Sequence, residues 1–342
     1  MELRVLPPQY AREALQTQAI FATLAAIYAL TLYLNVDAWR SHDQFFVERD
    51  PSLSHPNLAS TVSNAWLGVT AVAFPSLAIA AVAVRRVVAG RRVIASGAAR
   101  DTDSEDSAAG GGIAMMPSDA NFNSRAKEAT LVASLFELAG AVQALCLTMG
   151  TYNGLKAFVG RLRPNFFAAC DYKGYATAMA TGDYASYLAA TTAGAVGDRA
   201  HCLANEAATD EASLSFPSGH AALSFVAATY TAMALSEGFG RGVCRRGASE
   251  TAEGRGLRGL LPNGVSPASA ASCLTFAFAS YVAASRITDY KHRPADVLAG
   301  AAIGVAFGVA CRPRGTSRWW RMRVFGGGGG DGGRDDGFVT MT

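Results

Sequence analysis

The feature that most limits what this chain can fold into is a set of six stretches almost free of charge. They run from about Ala14 to Val36, Ala65 to Val84, Ala129 to Leu155, Pro217 to Ser236, Ser269 to Ala284, and Ala295 to Cys311. A helix needs about 20 mainly apolar residues to cross a hydrocarbon core roughly 30 Å thick; the last three stretches are short or polar at their ends. Only 17% of the 342 residues are charged and half are apolar, against roughly a quarter charged in an average soluble protein. The first stretch is too long for the apolar core of a secretory signal, so it reads as a span. The expected fold is all-α, a six-transmembrane helical bundle.

Basic residues set the expected orientation, because Lys and Arg in short loops are retained on the cytoplasmic side. The loop after the second stretch carries Arg85, Arg86, Arg91, Arg92, Arg100, Arg125 and Lys127. The loop after the fourth carries Arg241, Arg245, Arg246, Arg255 and Arg258, and the tail carries Arg312, Arg314, Arg318, Arg321 and Arg323. With six spans all three fall on one side, which places both termini in the cytoplasm. The expected organisation is a cytoplasmic N-terminus at 1–13, a six-span body at 14–315 with a disordered cytoplasmic loop at about 87–127, and a Gly-rich cytoplasmic tail at 316–342. The net charge of +3 is then a topology signal. No basic stripe interleaved with aromatics suggests nucleic-acid binding.

The six cysteines contain no C-x-x-C pair, which disfavours a zinc site. Cys170 and Cys202 share the long loop expected outside the cytoplasm, where oxidation permits a disulfide; closing a loop of that size stabilises by roughly 3.5 kcal/mol. Two unpaired thiols are the alternative.

Three clusters at membrane edges carry chemistry: Lys156-Ala-Phe-Val-Gly-Arg161-Leu-Arg163-Pro164, Phe216-Pro217-Ser218-Gly219-His220, and Ser285-Arg286-Ile-Thr-Asp289-Tyr-Lys-His292-Arg-Pro-Ala-Asp296. Six spans bring all three to the non-cytoplasmic edge. A phosphate dianion needs converging donors, which Lys156, Arg163 and Arg286 supply. Ser218 and Gly219 stand where a helix begins, so their backbone N–H groups can face an anion. Phosphoryl transfer also needs a nucleophile and a proton donor for the leaving oxygen. His292 has Asp296 four residues on, one helical turn away, to orient its ring; His220 is left as the acid. Arg161 and Lys291 lie inside the motif gaps, with a direct role as open as a bystander one. His42, His55 and His201 have no supporting neighbours. Glu137, a charge within a span, is costly and a functional candidate by default, although pairing with Gln143 or reaching toward headgroups would also account for it.

The clusters match K-x6-R-P, P-S-G-H and S-R-x5-H-x3-D, and in these the chain resembles the type 2 phosphatidic acid phosphatase superfamily, most closely its eukaryotic lipid phosphate phosphatase branch. The resemblance implies attack by His292 to form a phosphohistidine, with Asp296 orienting it. Lys156, Arg163, Arg286, Ser218 and Gly219 would hold the phosphate, and His220 would protonate the departing lipid alkoxide. It implies a membrane lipid phosphate such as phosphatidic acid as substrate, with no metal or other cofactor. Isoprenoid diphosphates and sphingoid phosphates are alternatives, as is a non-enzymatic signalling protein of the kind that has lost motif residues. Vanadium haloperoxidases share the motif but are soluble. The pair Arg293-Pro294 stands where a histidine or aromatic pair is more usual in the branch, which bears on substrate preference.

Overall fold

The computed structural model describes residues 11–35, 45–102, 119–239 and 266–325. Among these residues the protein is all-helical, without strands beyond two isolated bridges. Its long helices are α1 (Ala11–Leu34), α2 (Asn64–Thr102), α3 (Asp119–Val159), α8 (Gly219–Phe239), α9 (Pro267–Thr288) and α10 (Pro294–Ala310). Four short helices, α4 (Phe166–Ala169), α5 (Tyr175–Thr181), α6 (Ala185–Ala190) and α7 (Glu206–Ala212), lie between α3 and α8, and α11 (Thr316–Phe325) follows α10.

Among the described residues, four helices are long and apolar enough to cross a membrane: those at Arg12–Leu34, Asn64–Ala89, Asn123–Val159 and Pro267–Thr288. The other two expected spans form helices but differ in kind. The α10 helix has 17 residues, about 25 Å of rise. The α8 helix is packed by α2, α3, α9 and α10, so its small and hydroxylated residues face protein instead of lipid. Such residues let helix backbones approach closely where a shared apolar solvent gives no hydrophobic drive. Gly300, Gly304 and Gly308, four apart on α10, meet α8 so closely that a Cβ would run into the Ser218 carbonyl, the Ala222 carbonyl and the Thr229 side chain respectively.

The loop expected at about 87–127 is shorter than the charge pattern suggested. The α2 helix continues through the arginines to Thr102 and α3 begins at Asp119, so of that loop only 103–118 lies outside the described residues. The N-terminal 1–10 and the Gly-rich stretch 326–342 also lie outside them. The earlier part of the tail forms α11, whose Trp319 and Trp320 are buried against Ala126, Ala129, Ala133 and Phe136 of α3, with Trp320 Nε1 donating to Thr130 Oγ1 at 2.9 Å.

Glu137 does not pair with Gln143, which accepts from Gln18 Nε2 at 2.9 Å. Its carboxylate instead meets Arg312 Nη2 at 3.1 Å and Thr316 Oγ1 at 2.6 Å, and the other side of Arg312 holds Glu237 at 2.7 Å. Arg86 donates to Thr316 and Ser317. This network ties α2, α3, α8 and α11 together at one end of the bundle.

The opposite end is closed by residues 45–62 together with the α4–α7 segment. Their shared core is aromatic, built on Phe46, Phe166, Phe167, Tyr172, Tyr175 and Tyr187. Cys170 and Cys202 come together with Cα atoms 5.1 Å apart, bonded as a disulfide. Within this cap Glu48 is buried and accepts from Lys173 Nζ at 2.6 Å, the Thr192 N–H at 2.7 Å and the Tyr172 hydroxyl at 2.9 Å. Burial alone would raise its pKa, but these three partners hold it down, from 4.5 to about 2. A carboxyl depressed on folding contributes stability that is complete above its unfolded value and lost as pH falls through the folded one. The cap is therefore expected to lose stability as pH falls from about 4.5 to about 2, with Glu48→Gln abolishing that acid-dependent loss; limited proteolysis of the cap against pH measures it.

Candidate active site

Helix order brings the three motif clusters to the capped end, where α3 ends, α8 begins and the α9–α10 turn lies. Lys156, Arg163, Gly219, His220, Arg286, Lys291 and His292 line one cavity of about 940 Å³. Apolar side chains also line it, with Leu67 and Val72 from α2, Leu145 and Met149 from α3, and Leu223 from α8.

The α9–α10 turn holds His292 in place by backbone means. Tyr290 adopts φ +55°, a left-handed conformation that is costly for a non-glycine residue, and the stacked His55 ring lies 4.5 Å away. The N–H groups of Lys291 and His292 both donate to the Arg286 carbonyl at 3.1 Å. Pro294 then starts α10 at a position where a missing N–H costs nothing, which accommodates the unusual Arg293-Pro294 pair.

Asp296, in the first turn of α10, is wholly buried and its oxygens are occupied. Oδ1 accepts from Arg161 Nη1 at 2.8 Å. Oδ2 accepts from Ser215 Oγ at 2.7 Å and the Arg293 N–H at 2.9 Å. His292 Nδ1 lies 3.8 Å from Oδ2, beyond hydrogen-bond range, and has no other partner among the described residues. A small ring rotation would close that gap, and the carboxylate is already fixed to receive it. Burial depresses the His292 pKa to about 3, assisted by the Lys156 and Arg163 cations and opposed by Asp296. The ring is thus neutral at physiological pH, the form a nucleophile needs.

Arg286 is 1% exposed and is anchored by Asp289 at 2.7 Å. Asp289 is in turn held by the Thr61 N–H at 2.8 Å and the Thr61 hydroxyl at 2.6 Å. His220 Nε2 lies 3.2 Å from the Val62 carbonyl and 3.4 Å from Arg286 Nη1. One nitrogen cannot donate to the first and accept from the second. The shorter contact to an obligate acceptor assigns the proton to Nε2, leaving the guanidinium as a nearby positive charge. Lys156 Nζ donates to the Leu214 carbonyl at 2.7 Å, and Arg163 is nine-tenths buried with its Nε lacking an acceptor among the described residues.

The Ser218 expectation needs correction. Its N–H donates to the Asp296 carbonyl at 2.9 Å and so is not the free anion donor expected, whereas its buried hydroxyl accepts from the Ala221 N–H at 3.4 Å and keeps its own proton to donate. Gly219 does line the cavity, and a Cβ there would crowd the Tyr152 ring.

Several residues of the assembly escaped the sequence reading. Asn57 accepts from Lys291 Nζ at 2.6 Å and from Asn165 Nδ2 at 2.9 Å. Thr61, His55 and Ser215 support the motif residues from outside the three clusters, Asp289 does so from within the gap of the third, and Glu211 brings a carboxylate 3.2 Å from Arg163. Ser215 allows a direct check. It is fully buried and does not line the cavity, and a hydrogen bond to a charged group contributes about 1.5–3 kcal/mol. Ser215→Ala is expected to lower kcat roughly tenfold or more with KM nearly unchanged, as steady-state kinetics would show.

Comparison with known proteins finds several relatives. A Drosophila melanogaster protein named "Putative phosphatidate phosphatase" is 35% identical over 157 residues, covering 44% of this chain and 33% of the relative. Two PA-phosphatase related-family proteins of Dictyostelium discoideum are 26% and 29% identical over 175 and 171 residues, each covering 50% of this chain and 44% and 45% of the relative. The aligned stretches thus span less than half the length of these relatives. No solved structure matches the chain. The PAP2 superfamily model matches residues 137–320, just over half of the chain, and that stretch holds every residue of the three motif clusters with the later part of α3 and all of α8, α9 and α10: the chain belongs to the PAP2 superfamily.

Proposed function

We propose that the protein is an integral membrane lipid phosphate phosphatase that hydrolyses phosphatidic acid or a related lipid phosphate. The observation that carries this reading is one cavity in which two histidines, two lysines and two arginines of the motif clusters meet beside apolar side chains. In this reading all six long helices span the bilayer, the short α10 being accommodated by close packing on α8. The arginine-rich ends of α2 and α10 then lie in the cytoplasm, which puts the cavity and its disulfide-bearing cap on the luminal or extracellular side.

The cationic side chains gather the phosphate oxygens while the lipid tails stay against the apolar side chains. His292, neutral and turned by Asp296, presents Nε2 to phosphorus. The N–P bond forms as the P–O bond to the lipid breaks, and the leaving oxygen takes a proton from His220; burial and the Arg286 cation lower the pKa of this ring to about 4 in the free protein, so it serves as the acid once the bound phosphate dianion has brought it to the imidazolium form. A water molecule then attacks the phosphohistidine, giving its proton to His220 and returning the imidazole and inorganic phosphate. Lys156, Arg163 and Arg286 neutralise the charge at each step, and we take the reaction to be independent of metal. The relative named for phosphatidate phosphatase supports a phosphatidate substrate.

The test is phosphate release from phosphatidic acid by the detergent-purified protein in excess EDTA. Release that persists in EDTA supports the reading. No release from phosphatidate, isoprenoid diphosphates or sphingoid phosphates would overturn it in favour of a non-enzymatic role.

A further inference from the structure

Among the residues that line the cavity Glu211 is the one carboxylate. It stands at the mouth, its side chain 71% exposed, with Oε1 3.2 Å from Nη1 of Arg163, whose own side chain is 10% exposed. An acid at the rim of an anion site is at odds with the site's purpose, because it sits against a cation the phosphate needs.

Its position is built into the fold. Asn205 caps α7 by accepting from the Ala208 N–H at 2.8 Å, and the C-terminal end of α7 is bound to the residue it serves, since the Arg163 N–H donates to the Ala212 carbonyl at 2.9 Å. The arginine and the carboxylate are thus held in register by the main chain. The positive charges around them are Lys156, Arg286 and Lys291, and the other nearby acids are committed: Asp296 to Arg161, Ser215 and the Arg293 N–H, and Asp289 to Arg286 and Thr61.

We infer that Glu211 is an internal competitor for Arg163 that weakens the hold of the site on phosphate and so promotes release of the inorganic phosphate product. The inference rests on the phosphatase reading for its purpose, though the competition itself is a matter of binding. Arg163 with Nη1 engaged by a carboxylate must exchange that partner for a phosphate oxygen, and the displaced carboxylate then faces a bound dianion. Both effects lower affinity for any phosphate group at that position. When phosphate leaves, the carboxylate returns and the guanidinium is never left unpaired. Glu211 acts through Arg163 and takes no part in bond making.

The experiment compares the full chain with Glu211→Gln in detergent, titrated with inorganic phosphate by calorimetry and by inhibition of turnover. The substitution keeps the shape and removes the charge, and the exposed side chain makes loss of folding a minor concern; equal melting temperatures establish that. The expected result is phosphate affinity roughly tenfold tighter in Glu211→Gln, with product inhibition strengthened and the KM for lipid phosphate lowered in parallel. Unchanged affinity with both proteins hydrolysing lipid would overturn the inference alone. Weaker affinity would also overturn it, making Glu211 a support that orients Arg163. If neither protein binds phosphate, the phosphate-site reading falls and the inference with it.

Discussion

His292→Ala is expected to lower phosphate release by at least roughly a thousandfold while leaving membrane insertion and melting temperature near those of the parent protein. Removing the nucleophile of a covalent mechanism deletes the path itself, and what remains is catalysis by positioning and charge alone. The side chain is buried, with its Nδ1 lacking a partner within hydrogen-bond range, so its loss breaks no strong contact. His220→Ala is expected to be comparably impaired, but in both steps: it removes the proton donor of the first and the base for water in the second, leaving the attacking ring in place. Activity of His292→Ala near that of the wild type would remove His292 from the mechanism.

The second large effect is expected at the other end of the bundle. Arg312→Ala leaves Glu137 and Glu237 without their shared cation, and Glu137 is only 3% exposed. Breaking a buried pair by deleting one partner typically costs about 3–5 kcal/mol, whereas replacing both partners by apolar residues is often neutral. Arg312→Ala should melt roughly 10 °C lower, with activity per folded molecule preserved because the network lies at the bundle end away from the cavity. Pairing Arg312→Met with Glu137→Leu should recover part of the loss. A melting temperature for Arg312→Ala within about 2 °C of the parent would show that the network does not hold the bundle together.

The long helices and the motif residues were legible in the sequence for different reasons. Charge-free stretches identify apolar helices by composition alone, so each of the six long helices overlaps an expected stretch. Their ends were less legible, because α2 runs on through Arg85 and Arg86 where composition turns polar. The spans of α8 and α10 were blurred by the same glycines and hydroxyls that let them pack, since a helix shielded by protein has no need of a lipid-facing surface. At the site, fixed spacings exposed His292, Asp296, Arg286 and His220. They could not reveal that the Ser218 N–H is taken by Asp296, nor that the carboxylate would be held by Arg161 and Ser215, 135 and 81 residues away. The contributions of Thr61, Asn57 and Glu211 come from the folding of the cap over the bundle, and no local pattern marks them. Glu137 stood out as a costly charge, but its partner Arg312 lies 175 residues away.

The most direct test of the central claim is to trap the phosphorylated enzyme. Protein mixed with phosphate-labelled phosphatidic acid and quenched in alkali, where a phosphohistidine survives, should carry label on the peptide containing His292. Label should be absent from His292→Ala. Sustained turnover with no label, or equal labelling of His292→Ala, would contradict a phosphohistidine mechanism at this site.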